Sequence, residues 1–327
     1  MTANRFLVGD ATTRLRDVPT ASIDTVITSP PYFLLRDYGV RGQLGAERTV
    51  DDWADHLTGV CREVARVLKP TGSLWLNLGD AYSRHCRYGA PPKSLLLAPE
   101  RVLLRLLADG WTVRNKVVWQ KTTHRPSSAR DRLTCSWEPL YLLVRSRHYF
   151  FDLDPIRRAF RSPQRSRQRR VPPQPERGAL ANPNTGLQRM GRLGIGGHPL
   201  GPNPGDVVAT APSNYRGAHF ATFPPALVET LLKATCPEKV CSACGRPWQR
   251  APVQRQLGEL AVLGKLRPRC DCQAETKPGL VLDPFSGAGT VAVVAHRQGR
   301  HWLGIDINPK YVRLAEQRLR DERRQAA

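Results

Sequence analysis

Three groups of residues have types and spacings that could do chemistry. The first is Thr28-Ser29-Pro30-Pro31-Tyr32, which closes the β-branched run IDTVIT. Two prolines fix φ twice and remove two ladder donors, so a strand must stop there. The Ser29 hydroxyl and the Pro30 carbonyl then form a polar acceptor pair beside the flat ring of Tyr32. Such a surface suits a planar base carrying an exocyclic amine. The second group is LVLDPFSGAGT, where a buried strand ends at Asp283 and Gly287 and Gly289 turn the chain into a helix. Glycines let a ligand approach the backbone and the outward-facing amides of the helix start without meeting a Cβ. Asp306, closing WLGID, stands where a βαβ nucleotide site sets an acid on ribose hydroxyls, about 20 residues past the turn. The full GxGxxG fingerprint is missing, which argues against a nicotinamide or flavin dinucleotide.

The third group is Cys241-Ser-Ala-Cys244-Gly followed by Cys270-Asp-Cys272. Four thiolates in two close pairs fit a tetrahedral structural zinc, the chemistry of a zinc ribbon. An unmetallated cluster or a disulfide pair is the plainer alternative, and a cytosolic setting disfavours both. Lys121, Arg125 and Arg132 follow VVWQK and read as facing DNA or phosphate, with a solvated loop as the alternative. Asp80 and Asn77, which end the run SLWLNLGD, read equally well as cleft residues and as turn formers.

These groups need elements to hold them. RFLVG and IDTVIT read as strands around a short turn-and-helix stretch. DDWADHLTGVCREVARVLKP carries Leu57, Val60, Val64 and Leu68 at helical spacing and should stop at Pro70. SLWLNLGD predicts a buried strand, PERVLLRLLADGW a helix, and WTVRNKVVWQK and EPLYLLVRSRHYFF two more strands. FPPALVETLLKA opens a helix with prolines in its first turn, and residues 280–320 read strand, Gly-rich turn, helix, strand, helix. The alternation is α/β with a mostly parallel sheet.

SPPY combined with DPFSGAGT resembles the amino-directed DNA methyltransferases, which methylate cytosine N4 or adenine N6. The base-side motif precedes the cofactor motif here, which is similar to the permuted group of that family, and the resemblance covers residues 4–155 and 217–322. It implies a Rossmann-like S-adenosylmethionine-dependent methyltransferase fold. Five regions follow: a catalytic half over 1–156, a basic Pro/Gly-rich insertion over 157–218 in the place of target recognition, a cofactor-side helix over 219–235, a zinc-ribbon insert over 236–275, and a cofactor-binding half over 276–327. Position by position, the resemblance implies that Ser29, Pro30, Pro31 and Tyr32 hold the target base. It sets Phe285, Gly287 and Gly289, with Asp283 at the head of their turn, at the S-adenosylmethionine pocket. Asp306 takes the ribose hydroxyls, Asp10 lies near the adenine amine, and the region of Phe223 and Pro224 closes over the methionine part. Ser before Pro-Pro-Tyr points to cytosine N4, because adenine enzymes more often carry Asp or Asn there; adenine N6 is the alternative. Attack at cytosine C5 uses a cysteine in a Pro-Cys pair in the enzymes that do it, and none of the 28 prolines is followed by Cys. An RNA base, a protein glutamine amide, or a DNA-binding module with a vestigial cofactor site are further readings.

Composition agrees with a polyanionic partner. Lys and Arg number 50 against 28 Asp and Glu, a formal charge of +22. Arginine outnumbers lysine 41 to 9, which a coding bias alone would also produce. Residues 157–218, however, hold 11 Arg, two acids and 18 Pro plus Gly in 62 residues, and read as an extended loop or disordered insertion. No run approaches the roughly 18 apolar residues of a membrane helix, and the N-terminus lacks a signal pattern. The expectation is a cytoplasmic enzyme on double-stranded DNA, with an accompanying restriction endonuclease left open.

Overall fold

The computed structural model describes residues 3–124, 126–158, 198–212, 224–253 and 261–326. In chain order the elements are β1 (Arg5–Val8), α1 (Ala11–Leu15), β2 (Ile23–Thr28), α2 (Val50–Val67) and β3 (Leu68–Asn77). They continue with α3 (Ala98–Ala108), β4 (Thr112–Lys121), β5 (Trp137–Val144), β6 (Val207–Thr210) and α4 (Pro225–Thr235). Four two-residue strands follow: β7 (Val240–Cys241), β8 (Gln249–Arg250), β9 (Leu266–Arg267) and β10 (Thr276–Lys277). The chain ends with β11 (Leu280–Asp283), α5 (Thr290–Arg297), β12 (His301–Asp306) and α6 (Pro309–Ala326).

One eight-stranded sheet organises the molecule in the order β1-β12-β11-β2-β3-β5-β4-β6. Every neighbouring pair is parallel except the two that β5 makes with β3 and β4. Seven strands therefore point the same way, and their C-terminal ends share one edge with the start of β5. The central strands β2, β5 and β11 are largely buried on both faces, as a sheet covered on both sides requires, while β1, β4 and β6 keep exposed positions. Along β5, Tyr141 and Leu143 join the cluster under α1, α2 and α3, while Leu140 and Leu142 join the cluster under α4 and α5.

Helix α2 starts where the sequence gives it a capping box. The Thr49 hydroxyl accepts from the Asp52 amide while the Asp52 carboxylate accepts from the Thr49 amide, satisfying two orphan donors reciprocally. The helix ends at Val67, three residues before Pro70, because β3 begins at once with Leu68. The reading of 157–218 as loop throughout is corrected at Val207–Thr210. This short β-branched run pairs in parallel with Val118–Lys121 as the edge strand β6. The rest of that stretch lies largely outside the described residues, at 159–197 and 213–223.

Candidate functional site

The sheet edge where seven strands end carries a cavity of about 850 Å³. Open parallel sheets bind ligands at this edge, because the loops leaving adjacent strands there diverge and leave a crevice. Ser29, Pro30, Pro31 and Tyr32 leave β2 into the cavity on one side. Asp10, Phe285, Gly287 and Asp306 line its other side, from the ends of β1, β11 and β12. Motifs near opposite ends of the sequence thus share one cavity.

On the β2 side, hydrogen bonds fix the serine and the tyrosine together. The Ser29 hydroxyl lies 3.1 Å from the Tyr32 hydroxyl and 3.3 Å from Asn77 Oδ1. The Tyr32 hydroxyl donates to Glu138 Oε2 at 2.8 Å and lies 3.0 Å from Asn77 Oδ1. Asn77 is oriented by its own donor, since Nδ2 reaches the accept-only Pro139 carbonyl at 3.1 Å. Glu138 in turn accepts from Lys121 Nζ in a close ion pair. Burial pushes the Tyr32 phenol well above its ordinary pKa, and the neighbouring Glu138 carboxylate raises it further. The phenol is therefore neutral and a donor. The Tyr32 ring lies flat against Gly79, where a Cβ would sit 2.4 Å from Cε2. The buried Trp53 of α2 donates its indole N–H to the Pro31 carbonyl at 3.0 Å, so the proline turn is held from the helix as well as from the strand.

On the opposite side, Asp306 Oδ2 accepts from the Gly287 amide at 2.8 Å and Oδ1 from the Asn308 amide at 2.8 Å. Each oxygen keeps a lone pair for a ligand. Burial raises the Asp306 carboxyl, and these two amides oppose the rise. Asp10 caps α1, accepting from the Thr13 amide at 3.0 Å, and faces the cavity. Tyr38 and Tyr311 meet edge to face above this half, with ring centres 6.3 Å apart. Asp283 and Gly289 are not among the lining residues. Asp283 is buried behind the wall, accepting from the Thr28 hydroxyl at 2.7 Å and the Phe285 amide at 3.1 Å. Gly289 has φ +73°, and a Cβ there would lie 2.8 Å from Ala315 Cβ. Both shape the loop that carries Phe285 and Gly287.

Four residues at the heart of the site carried no decisive sequence signal. Glu138 and Trp119 sit in strands, facing each other across the β4–β5 ladder. Lys121 is drawn into the Glu138 pair at the cavity wall, 23% exposed, away from the backbone-contact role that its position after VVWQK suggested. Asn77 stood even between cleft and turn. Of the other expected phosphate contacts, Arg132 stacks on Tyr82 at 3.8 Å and Arg125 lies outside the described residues.

At the other edge of the sheet, the Sγ atoms of Cys241, Cys244, Cys270 and Cys272 all lie within 4.8 Å of one another. Sulfurs on a tetrahedral zinc stand about 3.8 Å apart, given Zn–S bonds of about 2.3 Å, so the convergence fits the ion. The amides of Cys244 and Ala243 point at the Cys241 sulfur and lower its thiol to about 6, while hydrogen bonding with Cys244 and Cys270 raises the Cys272 thiol to about 12, so the cluster shares its protons unequally. Gly245, at φ +72°, makes the turn that aims those amides. The insert's neck is closed by the Gly279 amide donating to the Pro237 carbonyl at 3.1 Å.

Strand order, cavity placement and the paired loops together define an α/β Rossmann-like fold, with the PvuII DNA methyltransferase (cytosine-N4-specific) superposing at a TM-score of 0.59, 19% identity, over 99% of this chain and 93% of that one. A putative DNA modification methylase of Thermus thermophilus, complexed with S-adenosyl-L-methionine, superposes at 0.55 with 22% identity, over 97% and 93%. The DNA methylase family covering N6 and N4 enzymes matches residues 23–317, and the chain belongs to this family of amino-directed DNA methyltransferases. Among its relatives are the Type II methyltransferases M.Cfr9I of Citrobacter freundii, 31% identical over 96% of this chain and 87% of that protein, and M.SmaI of Serratia marcescens, 30% identical over 96% and 90%.

Proposed function

We propose that this chain transfers a methyl group from S-adenosylmethionine to the exocyclic amine of a flipped-out base in double-stranded DNA, at cytosine N4, within a specific sequence. The observation that carries this reading is the shared cavity in which Ser29-Pro30-Pro31-Tyr32 faces Asp10, Phe285, Gly287 and Asp306. Bound there, S-adenosylmethionine supplies an electrophilic methyl group on a sulfonium. The cavity suits it electrostatically. Asp10, Glu47, Asp55, Glu138 and Asp306 line it against two cations, Arg36 and Lys121, in a protein whose total charge is +22. An acidic pocket in a basic molecule separates the two ligands: the cationic cofactor goes in and the polyanion stays on the rim.

An exocyclic amine is a poor nucleophile because its lone pair is delocalised into the ring. Hydrogen bonds from the amine to the Ser29 hydroxyl oxygen and the Pro30 carbonyl pull it toward tetrahedral geometry and localise that pair. Tyr32 offers the base a flat surface, and the base must leave the duplex because stacking buries its amine. Asp306 is suited to the ribose hydroxyls and Asp10 to the adenine amine, while Asp283 and Gly289 hold the loop between them. Membership in the DNA methylase family favours DNA over the RNA-base and glutamine-amide readings. The intact cavity favours an enzyme over a vestigial cofactor site.

Residues 157–218 are proposed to grip the DNA backbone, on the strength of their net +9 and of β6, which anchors them beside the cavity. The Type II relatives support a restriction endonuclease as companion, and a cytoplasmic location is proposed with it. No helix among the described residues is long and apolar enough to cross a membrane. The four converging thiols are proposed to hold one structural zinc.

The test is direct. The protein is incubated with unmodified DNA and labelled cofactor, and the digested nucleosides are resolved by mass spectrometry. N4-methylcytosine is the expected product. N6-methyladenine would replace the base assignment, and absence of transfer would overturn the reading.

A further inference from the structure

Methyl transfer to an amine creates a proton that must leave. The C–S bond breaks and a C–N bond forms. The sulfonium becomes a neutral thioether, and the amine nitrogen, now carrying the methyl group, is cationic until it loses a hydrogen. The cavity holds a ready path for that proton. Tyr32 has one hydroxyl proton, and its partner at 2.8 Å, the carboxylate of Glu138, can only accept. Asn77 Oδ1 also only accepts, at 3.0 Å from the Tyr32 hydroxyl and 3.3 Å from that of Ser29, so the Tyr32 proton goes to its shorter partner Glu138 and the Ser29 proton is shared between Tyr32 Oη at 3.1 Å and Asn77 Oδ1. With its proton directed at these two acceptors, Ser29 Oγ presents lone pairs to the amine.

Resting on the methyltransferase reading above, we infer that Ser29, Tyr32 and Glu138 form a proton relay whose terminal acceptor is Glu138. The amine proton passes to Ser29 Oγ as the serine proton passes to Tyr32 Oη and the tyrosine proton to Glu138 Oε2, leaving a neutral carboxylic acid and a neutral methylated amine. Each hydroxyl ends with one proton, as it began. Lys121 on β4 pairs closely with Glu138 before the transfer. Asn77, whose amide oxygen is within 3.3 Å of both hydroxyls, keeps them side by side. Glu138 acts through Tyr32 and is a positioning and accepting residue with no contact of its own to the base.

Glu138→Gln keeps an oxygen for the Tyr32 hydroxyl and removes the proton acceptor. Its single-turnover methylation of DNA should slow about 100-fold, the low end of general-base contributions, a larger loss than any in cofactor or DNA affinity. Tyr32→Phe breaks the same path, so the double variant should be no slower than the slower single one. Glu138→Asp, which restores the carboxylate, should recover part of the rate. A readout in the ligand-free protein is independent of turnover. The Tyr32 ring resonance in carbon-13 tyrosine spectra, assigned by its loss in Tyr32→Phe, should titrate at lower pH in Glu138→Gln, because the negative neighbour is gone. A parental rate in Glu138→Gln, losses that multiply in the double variant, or a Tyr32 titration indifferent to Glu138 would overturn the relay alone. A parent protein that methylates no DNA would overturn the relay together with the reading beneath it.

Discussion

Asp306, half-buried, and Asp283, fully buried, are carboxylates on adjacent strand ends with different tasks. Asp306 opens into the cavity with lone pairs to spare, so Asp306→Ala should weaken S-adenosylmethionine binding by about 1.5–3 kcal/mol, the worth of hydrogen bonds to a charged group. Calorimetry would check this against an unchanged affinity for DNA. Asp283 is sealed, and burial raises its carboxyl to about 7, with Asp306 adding to the rise. Its folded pKa is above the unfolded one, so the stability it contributes is present in full below about pH 4 and is lost as pH rises toward 7. Asp283→Asn retains an oxygen for the Thr28 hydroxyl and the Phe285 amide without the buried charge. The variant should melt higher than the parent at pH 8, with the difference shrinking toward pH 4. Gly79→Ala would set a methyl 2.4 Å from the Tyr32 ring and displace it, and loss of methylation with a near-parental melting temperature is expected. At this scale the sequence was legible where chemistry is local. Ser29 through Tyr32 and Phe285 through Gly289 are contiguous, and their residue types announce a turn and its acceptors. Glu138 and Lys121 were not legible, because they become site residues only when β5 runs backwards between β3 and β4 and brings its first residues to the edge where its neighbours end.

At the scale of elements, the proline turn depends on a helix that follows it by about 20 residues. Trp53 lies in the first turn of α2, and its indole reaches back to the Pro31 carbonyl, so the capping box at Thr49 indirectly sets the height of the base-side loop. Trp53→Phe keeps most of the buried ring but leaves that carbonyl without its donor. A loss of about 1–3 kcal/mol in denaturant unfolding is expected, with a larger loss of methylation than of cofactor binding. The helical spacing of Leu57, Val60 and Val64 foretold α2, and the β-branched runs foretold β2, β11 and β12. The strand β6 was hidden, because four residues in a Pro/Gly-rich, arginine-rich stretch carry too little pattern to outweigh their surroundings. Its pairing with β4 supplies what the local sequence does not.

Across the whole molecule, the two edges of the sheet divide the work. The cavity occupies the edge where strands end. The cysteine insert leaves the end of α4 and returns at the start of β11, and Gly245 approaches Lys69 near the start of β3. It therefore sits at the opposite edge, tied down by Arg250, which pairs with Asp152 at 2.8 Å and closely with Glu238. About one zinc per chain is expected from metal analysis, four thiolates filling one tetrahedral ion. Chelation should expose residues 236–275 to protease while DNA methylation persists, because among the described residues no cavity residue lies in the insert. Metal-free protein with an intact, resistant insert would dismiss the ion, and a coupled loss of methylation would show that the two edges communicate.

By itself the sequence determined the local conformations and the reactive groups: two prolines must end a strand, and a GAG turn opens a helix. These follow from sterics and valence within a few residues. It also carried the order of the motifs and the charge of +22. Only the tertiary structure decided that the SPPY loop and the GAG loop share one cavity, that the cavity is acidic within a basic protein, and that Tyr32 is tied to Glu138. Those facts depend on which strands lie side by side and in which direction, and pairing between strands far apart in the chain is chosen by burying both faces of the sheet at once.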